Sequence, residues 1–302
     1  MKLHFPKYYR DFACIADKCR HSCCIGWEID IDEDTAAFYG TLDTGYGVIV
    51  KQSIDHTDCP HFRLCEGDRC PHLDEKGLCR IILSLGEEAL CEICREHPRF
   101  YHDTHRGKEV GIGMACEEAC RLILSSDSYA EFDEIEDADA TVGELPAFDP
   151  LPHRKRIFSM LSNRHIPYPL RLRQIGEAYD ISLAMHSDKA WRELLDSLEY
   201  LDESHRLQFA LFSSDPQTPT ALELRLERAL AYFLFRHLST ADSEDSLCAS
   251  LGFCLLCERL LASVAVAQCL DDNAFLELAR ALSEELEYSE ENTDILKNAF
   301  LK

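Results

Sequence analysis

The chain of 302 residues is short of positive charge: it has 31 Lys and Arg against 55 Asp and Glu, and its formal net charge is -24. Nucleic acids are bound largely through clustered Lys and Arg that release counterions from the phosphate backbone. The charge balance therefore argues against nonspecific nucleic-acid binding. The acidity favours solubility, and it would also attract a lysine-rich protein partner.

Long apolar runs are lacking too. The most apolar stretch, residues 247–270, contains Glu258, Arg259 and Gln268 and has no uninterrupted apolar run of about 18 residues. It predicts a buried helix, and no membrane partner is expected. Residues 1–20 lack the apolar core and cleavage site of a signal peptide. We therefore expect a cytoplasmic protein whose thiols are kept reduced.

Cysteine, in contrast, is abundant. Twelve of the sixteen cysteines fall within the first 120 residues, a density typical of disulfide scaffolds or clustered metal sites. In a reducing compartment, close-spaced thiols are more often metal ligands or redox groups than structural bridges. Two thiolates separated by two residues can turn toward one ion, so Cys91 and Cys94 form the strongest ligand pair. The sequence predicts a metal centre.

The neighbouring Cys23 and Cys24 bear on the number of centres. Adjacent side chains point in different directions on a helix or a strand, so either only one of the two is a ligand or the segment holds two centres. Zinc and iron–sulfur clusters both accept four thiolates. The irregular gaps between the cysteines favour a cluster over a zinc finger.

Other candidate ligands are interpreted as parts of the surroundings. Histidines near the thiols are more often supporting or surface groups than ligands; they are His61, His72, His97, His102 and His105. Cysteines in the C-terminal half are predicted to be core residues; they are Cys248, Cys254, Cys257 and Cys269.

Charge and apolar spacing predict a mainly α protein in three parts. Residues 1–126 form a Cys-rich metal-binding region of loops and short helices, with strands at 27–32 and 46–54 and room for a small β-hairpin. Residues 127–152 form an acidic, Pro-containing linker, with nine acids and no Lys or Arg from Asp127 to Asp149. Residues 153–302 form an α-helical bundle.

Apolar residues spaced three and four apart predict the individual helices. Their ranges are 78–85, 87–96, 116–125, 170–186, 189–201, 221–238, 246–270, 273–286 and 293–301. A basic cluster follows the linker directly: Arg154, Lys155, Arg156, Arg164, Arg171 and Arg173. It could hold a carboxylate or phosphate, and packing against the acidic linker is the favoured interpretation.

Several motifs together carry a family resemblance. They are Lys7-Tyr8-Tyr9, Phe12-x-Cys14, Cys19-x3-Cys23-Cys24-x-Gly26-Trp27-x-Ile29, Cys70-Pro71-x-Leu73, Gly77-Leu78-Cys79, Leu85-Gly86-Glu87-Glu88-x-Leu90-Cys91-x2-Cys94-Arg95-x2-Pro98-Arg99 and Cys116-Glu117-Glu118. With them, about the first 125 residues resemble the flagellin lysine-N-methylase family, and residues 226–235 resemble a later helix of it. The same cysteine order also resembles a broader zinc- or iron-chelating domain, which names no reaction.

The family resemblance implies transfer of methyl groups from S-adenosylmethionine to lysine side chains of flagellin. It also implies a 4Fe-4S cluster held by cysteines, with zinc as the alternative metal. At least four of the implied ligands are expected to bind; they are Cys14, Cys19, Cys23, Cys24, Cys70, Cys79, Cys91, Cys94 and Cys116. Three further cysteines lie outside the family pattern: Cys59, Cys65 and Cys120.

No site for the methyl donor can be found in the sequence. A radical enzyme that uses S-adenosylmethionine normally has Cys-x3-Cys-x2-Cys, but Gly26 stands at the third position after Cys19 and Cys23. Gly111 and Gly113 form a lone pair without the glycine-rich turn of a nucleotide-binding fold.

The catalytic residues are also unknown. Methyl transfer to an amine needs a neutral lysine, whose ordinary pKa is about 10.4, so a site must desolvate it or supply a base. Tyr101, Glu117 and Glu227 are suitable types, although each is more readily explained as structural.

Two other functions stay open. The chain could be a noncatalytic zinc- or iron-binding module whose helical half docks a protein partner, in which case metal is bound and no product forms. It could also store or deliver metal, for which labile, exchangeable iron or zinc would be the mark.

Overall fold

The structure is a computed structural model that describes residues 2–57, 59–136 and 145–301. It contains two compact units. The cysteine-rich unit comprises Ala13–Phe100 with Cys116–Glu118. The helical unit comprises, among the described residues, 2–12, Tyr101–Ala115 and 119–301. The prediction of a mainly α protein is confirmed by the elements of the described segments.

The strands are few and short. Those in the described segments are β1 (Lys2–Pro6), β2 (Ile54–Asp55), β3 (His61–Phe62), β4 (Arg99–Thr104), β5 (Gly107–Ile112) and β6 (Phe132–Glu136). Four of them form a sheet in the order β4, β5, β1, β6, in which β1 is parallel to β5 and antiparallel to β6. Leu3 thus pairs with both Lys108 and Ile135. The expected small β-hairpin corresponds to the antiparallel pair β2 and β3.

The helices range from five to 24 residues in length. The α-helices of the described segments are α1 (Glu33–Gly40), α2 (Tyr46–Gln52), α3 (Arg80–Leu85), α4 (Glu92–Glu96), α5 (Glu117–Ser125), α6 (Pro150–Leu161), α7 (Tyr168–Ala178), α8 (Asp188–Asp196), α9 (Glu203–Phe209), α10 (Thr220–Leu238), α11 (Glu244–Ala267), α12 (Asp272–Glu287) and α13 (Glu290–Asn298). The predicted helices at α3, α5 and α10 to α13 are confirmed to within a few residues.

Both strands predicted for the N-terminal region are wrong. Residues 46–54 begin with α2 instead of a strand, and its Val50 is fully buried. Gly47 lies so close to Leu42 that a Cβ there would be 2.7 Å from the Leu42 Cβ. A short apolar run is compatible with a helix or a strand, and here the packing of the buried side chains stabilises the helix. At 27–32 the described backbone forms only an isolated bridge between Asp30 and His61.

Three predicted helices are shorter or broken. The segment 87–96 has a 3-10 turn at Glu87–Ala89 and then α4. The segment 170–186 stops at Ala178, because Asp180 adopts a left-handed conformation with φ of 53° and the Ile181 carbonyl lies against Gly176. The helix predicted at 189–201 ends at Asp196.

The acidic segment 127–152 is only partly described, since 137–144 lie outside the described residues. The prediction that this segment separates two domains is not tested and stays a prediction. Strand β6 and the start of α6 lie within the segment. Its acids pair with cations of the N-terminal residues: Lys2 bonds Glu134, and Arg10 lies 3.3 Å from Asp133.

Two arginines of the basic cluster pair with carboxylates outside that linker, whereas packing of the cluster against the linker stays a prediction because 137–144 lie outside the described residues. Arg171 Nη1 lies 2.9 Å from Glu227 Oε2, and Arg154 Nη1 donates to Glu109 Oε2 at 2.7 Å. Glu227 and Glu109 are both buried, so each needs a cation beside it.

The long helices α10 and α11 form the centre of the helical unit. Gly252 of α11 faces Phe300 so closely that a Cβ would lie 2.3 Å from the ring. By length and composition α11 could cross a membrane, but 89% of its most apolar window is buried inside the protein, as in a core helix. The buried helix predicted at 247–270 is confirmed.

The four cysteines predicted to be core residues differ in their burial. Cys254 and Cys257 are fully buried on α11, as predicted. Cys248 is half-buried, and its thiol lies 3.6 Å from the Tyr179 carbonyl. Cys269 is exposed, so its core prediction is wrong. Since α11 ends at Ala267 and Cys269 adopts φ of 52°, the chain has already turned away from the core there.

Candidate metal centre

All nine cysteines implied as ligands lie in the cysteine-rich unit, although the first and the last of them, Cys14 and Cys116, are 102 positions apart in the sequence. Cys59 and Cys65 also lie there and are exposed. Cys120 is different, because it belongs to the helical unit and is buried. All sixteen cysteines are among the described residues, and none of them forms a disulfide bond.

The first group of thiols consists of Cys14, Cys19, Cys23 and Cys116. A 3-10 turn at Ala16–Lys18 connects the first two, and the Ala16 amide donates to Cys14 Sγ at 3.4 Å. Burial, together with the nearby charges of Glu117, Cys116 and Cys14, raises the pKa of Cys19 to about 11. These thiols are thus within electrostatic range of one another. We call them the outer thiol group.

The second group consists of Cys24, Cys70, Cys79, Cys91 and Cys94, which we call the inner thiol group. Backbone hydrogen bonds hold its segments together. The Cys70 amide donates to the Cys24 carbonyl at 2.8 Å, and the backbones of Cys79 and Leu73 form an isolated antiparallel β-bridge. Burial raises the pKa of Cys70 to about 12, and the charges of Cys24, Cys79 and Cys91 act in the same direction.

Two thiol pairs affect each other's ionisation within this arrangement. Interaction with Cys23 lowers the pKa of Cys24 to about 7, and interaction with Cys24 raises the pKa of Cys23. Interaction with Cys94 lowers the pKa of Cys91, and interaction with Cys91 raises the pKa of Cys94. In each pair one proton is released readily and the second is retained, because two neighbouring thiolates repel. A bound cation would remove that repulsion.

The adjacent Cys23 and Cys24 connect the two groups. Besides its partner, Cys23 feels the charges of Cys14 and Cys116 in the outer group. Cys24 contributes to the environment of Cys70 and Cys79 in the inner group. Cys23 and Cys24 thus have partly different neighbours, and the number of metal centres stays a prediction.

The chemistry of this donor set suits a soft metal, since thiolates bind both zinc and iron–sulfur clusters. Among the described residues, however, no three Cys, His, Asp or Glu side chains stand at the geometry that would hold a metal ion. Metal ligation by the nine cysteines therefore stays a prediction.

Two arginines beside the thiols, Arg20 and Arg69, were not predicted from the sequence to be part of a site. Arg20 donates from its backbone amide to Glu117 Oε2 at 2.8 Å and from Nε to Oε1 at 2.9 Å. The Cys19 thiol lies 3.7 Å from the same Oε2 atom. Arg69 helps to lower the pKa of Cys24. The only signal in the sequence was their position next to Cys19 and Cys70.

The histidines near the thiols have other roles where the structure defines them. His72 is fully buried, and its ring nitrogens bond the Tyr46 hydroxyl at 2.9 Å and the Ser53 hydroxyl at 2.8 Å. Burial lowers the pKa of His72 to about 4. His61 Nδ1 lies 2.9 Å from the Cys59 carbonyl. Two others, His102 and His105, belong to the helical unit.

The candidate catalytic types are mostly engaged. Glu227 is buried in the helical unit and bonds Arg171, Arg164 and the Tyr129 hydroxyl. Although burial alone would raise the pKa of Glu117, the Arg20 contacts hold it below its usual value. Tyr101 is 43% exposed, and its ring centroid lies 5.7 Å from Lys108 Nζ.

The architecture defines a mainly α protein with one thiol-rich unit. The chain is similar to proteins named lysine-N-methylase from two Salmonella strains, choleraesuis SC-B67 and typhimurium LT2, each at 28% identity over 151 residues. It is also 29% identical over 128 residues to the flagellar biosynthetic protein FliU of Salmonella muenchen. The resemblance to the flagellin lysine-N-methylase family is thereby confirmed.

The extent of these similarities is limited. The match covers 47% of this chain and 37% of each lysine-N-methylase, and 40% of this chain and 75% of FliU. The chain thus spans little more than a third of the length of the lysine-N-methylases. No family model and no solved structure matches the chain.

Proposed function

We propose that this chain is a protein-lysine N-methyltransferase that acts on a flagellin-like surface protein in the bacterial cytoplasm. The methyl donor is S-adenosylmethionine, and an iron–sulfur cluster is bound by cysteines of the cysteine-rich unit. The observation that carries the proposal is the similarity of about half the chain to proteins named lysine-N-methylase.

The thiol arrangement supports the metal part of the proposal. The ligands would come from the nine cysteines of the inner and outer thiol groups, which are confined to one compact unit. When bound, a 4Fe-4S cluster would offer iron to the amino and carboxylate groups of the donor or would fix the surrounding loops. Zinc is the alternative metal for the same thiolates.

The charge of the chain supports a lysine-rich substrate. With a net charge of -24, the protein attracts a cationic segment over distances set by the salt concentration. The reactive lysine must be neutral before its nitrogen attacks the methyl group. Glu117 and Glu227 are both bound by arginines, so neither is assigned as the base.

The test is methylation of purified flagellin by the anaerobically purified chain. Mass spectrometry should find methyl-lysine only when S-adenosylmethionine is present. The variant Cys91→Ala/Cys94→Ala should lose the product, because it removes the ligand pair with the two-residue spacing. The matched control Cys254→Ala/Cys257→Ala changes a pair with the same spacing on α11 and should retain it.

A noncatalytic zinc- or iron-binding interaction module is the second candidate. It is favoured by the fact that the similarity covers only 37% of each lysine-N-methylase, which leaves most of those proteins unmatched. Stoichiometric metal without methyl-lysine on any flagellin tested would contradict the methyltransferase proposal and support this module.

A further inference from the structure

A cavity lined by described residues lies in the helical unit. Its volume is about 620 Å³, within the range of small-molecule sites. One wall is a face of the sheet, formed by His4 of β1, Glu109 of β5 and Phe132 of β6. The register supports this wall, because His4 pairs directly with Glu109. The opposite wall comes from α6 and α10.

An aromatic cluster forms the apolar part of the cavity. The ring of Phe132 stacks on Phe235 with centroids 5.4 Å apart and meets Phe158 edge to face at the same distance. Phe235 and Phe158 are buried, whereas Phe132 is 40% exposed. An aromatic ring with a solvent-accessible face on a cavity wall offers a surface on which a planar ligand can stack.

The cations of the cavity differ in how far they are already neutralised. Arg154 is held by the buried Glu109, which also accepts from the Ser239 hydroxyl at 2.6 Å. Arg106 lies 3.6 Å from Asp149 and is 55% exposed at its side chain. Lys155 lines the cavity on α6, is exposed and forms no ion pair with any described residue.

A buried polar atom also faces an incomplete environment. The Nε2 atom of His4, a cavity-lining residue, is buried and has no hydrogen-bond partner among the described residues. Its Nδ1 atom lies 3.8 Å from Glu134. Buried polar atoms normally have partners, so a ligand in the cavity would satisfy Nε2.

We propose that this cavity binds a small molecule that combines a planar aromatic ring with an anionic tail. The ring stacks on Phe132, and the tail, a carboxylate or a phosphate, is attracted by Lys155 and Arg106. The Arg154–Glu109 pair fixes α6 against the sheet and so preserves the shape of the site. The inference rests on the helical unit and does not depend on the proposed methyltransferase activity.

Adenine compounds allow a direct test, because they share one ring and differ in their tails. S-adenosylhomocysteine carries a carboxylate, AMP carries a phosphate, and adenosine carries neither. Their affinities for the full chain are measured by isothermal titration calorimetry at low salt. At least one of the two compounds with an anionic group in the tail, the carboxylate of zwitterionic S-adenosylhomocysteine or the phosphate of AMP, should bind, and adenosine should bind more weakly.

Two variants locate the binding. Phe132→Ala should weaken it roughly ten-fold through loss of ring stacking. Lys155→Gln, at an exposed position that leaves the fold intact, should weaken it about three-fold, and added salt should abolish that difference. Lys189→Gln on α8 is the matched control and should bind like the unchanged protein.

The binding results distinguish a carboxylate ligand from a phosphate ligand, and they test the cavity independently of the proposed methyltransferase activity. Binding of S-adenosylhomocysteine alone would identify the carboxylate class, and binding of AMP alone the phosphate class. If neither compound binds, or if both variants bind as tightly as the control, the inference is overturned. Methyl-lysine formation is measured separately, so that result would leave the proposed function standing.

Discussion

The cysteine-rich unit and the helical unit differ in the length of their helices and in the residues that form their cores. In the helical unit, α10 and α11 have 19 and 24 residues, and most of their apolar side chains are buried. The helices α1 to α4 of the cysteine-rich unit have only five to eight residues, and isolated helices of that length are unstable in water. Its core includes Cys70 and Cys91 among the buried residues.

Buried ionisable groups make the contrast sharper. In the helical unit the buried carboxylate of Glu287 meets a cation and a hydrogen-bonding partner: its Oε1 atom lies 3.5 Å from Arg236 Nε and 2.6 Å from His237 Nε2. The inner thiol group instead brings together groups that repel one another when ionised. Such a group needs a cation, so we expect metal to stabilise the cysteine-rich unit and apolar packing to stabilise the helical unit.

Metal removal should give the largest difference between the units. A structural metal contributes on the order of 10 kcal/mol to the folding of a small thiolate site. Anaerobic chelation should therefore increase hydrogen–deuterium exchange throughout α3 and α4, while α10 and α11 stay protected. Equal protection of both units before and after chelation would break the comparison.

Truncation of a core side chain in the helical unit should destabilise that unit and leave the metal content of the cysteine-rich unit unchanged. Leu230 of α10 is fully buried, and Leu230→Ala should lower the free energy of unfolding by about 4 kcal/mol because it leaves a cavity. Thermal unfolding measures the loss, and metal analysis should find the native metal content. Loss of metal in this variant would show that the units do not behave separately.

The buried Glu109–Arg154 pair should make the stability of the helical unit depend on pH. Although burial alone would raise the pKa of Glu109, hydrogen bonds and charge from Arg154 hold it below 4.5. A lowered pKa in the folded state stabilises the protein above the unfolded-state value, and that stability is lost as pH falls through the folded-state pKa.

Glu109→Gln should therefore cost about 3 kcal/mol at neutral pH, and the difference from the unchanged protein should shrink at acidic pH. Urea unfolding followed by circular dichroism at both pH values measures it. Glu193→Gln, at an exposed site on α8, is the control. A difference that stays constant with pH would contradict the assigned ionisation.

The smallest effect is expected at the cysteines outside the family pattern. Cys59 and Cys65 are exposed, so Cys59→Ala and Cys65→Ala should each change stability by less than about 0.5 kcal/mol. Metal analysis should give the same content as in the unchanged protein. A loss of metal in either variant would add that cysteine to the ligands.

Long-range pairing explains most of what the sequence did not predict. The helices α10 to α12 follow from local apolar spacing, which is a property of neighbouring residues. The sheet depends on Leu3 meeting Lys108 and Ile135, more than 100 positions away, and no local pattern encodes such a register. The short helix α2 was mistaken for a strand because its apolar run is too brief to show a period.

The candidate site was predictable to a similar extent. Spacing selected Cys91 and Cys94, and the family resemblance selected the other seven of the nine candidate ligands, all of which lie in the cysteine-rich unit. The division into inner and outer thiol groups could not be foreseen, because it depends on contacts such as the Cys70 amide with the Cys24 carbonyl. The same holds for Arg20 and Glu117, whose pairing spans 97 positions.

The most direct test of the account is the visible absorption spectrum of the anaerobically purified protein, with its iron, sulfide and zinc content. We predict a brown protein with iron and sulfide, whose colour disappears in Cys91→Ala/Cys94→Ala and persists in Cys254→Ala/Cys257→Ala. A colourless protein that contains zinc would contradict the iron–sulfur assignment. A protein without any bound metal would contradict the central claim that these thiols form a metal centre.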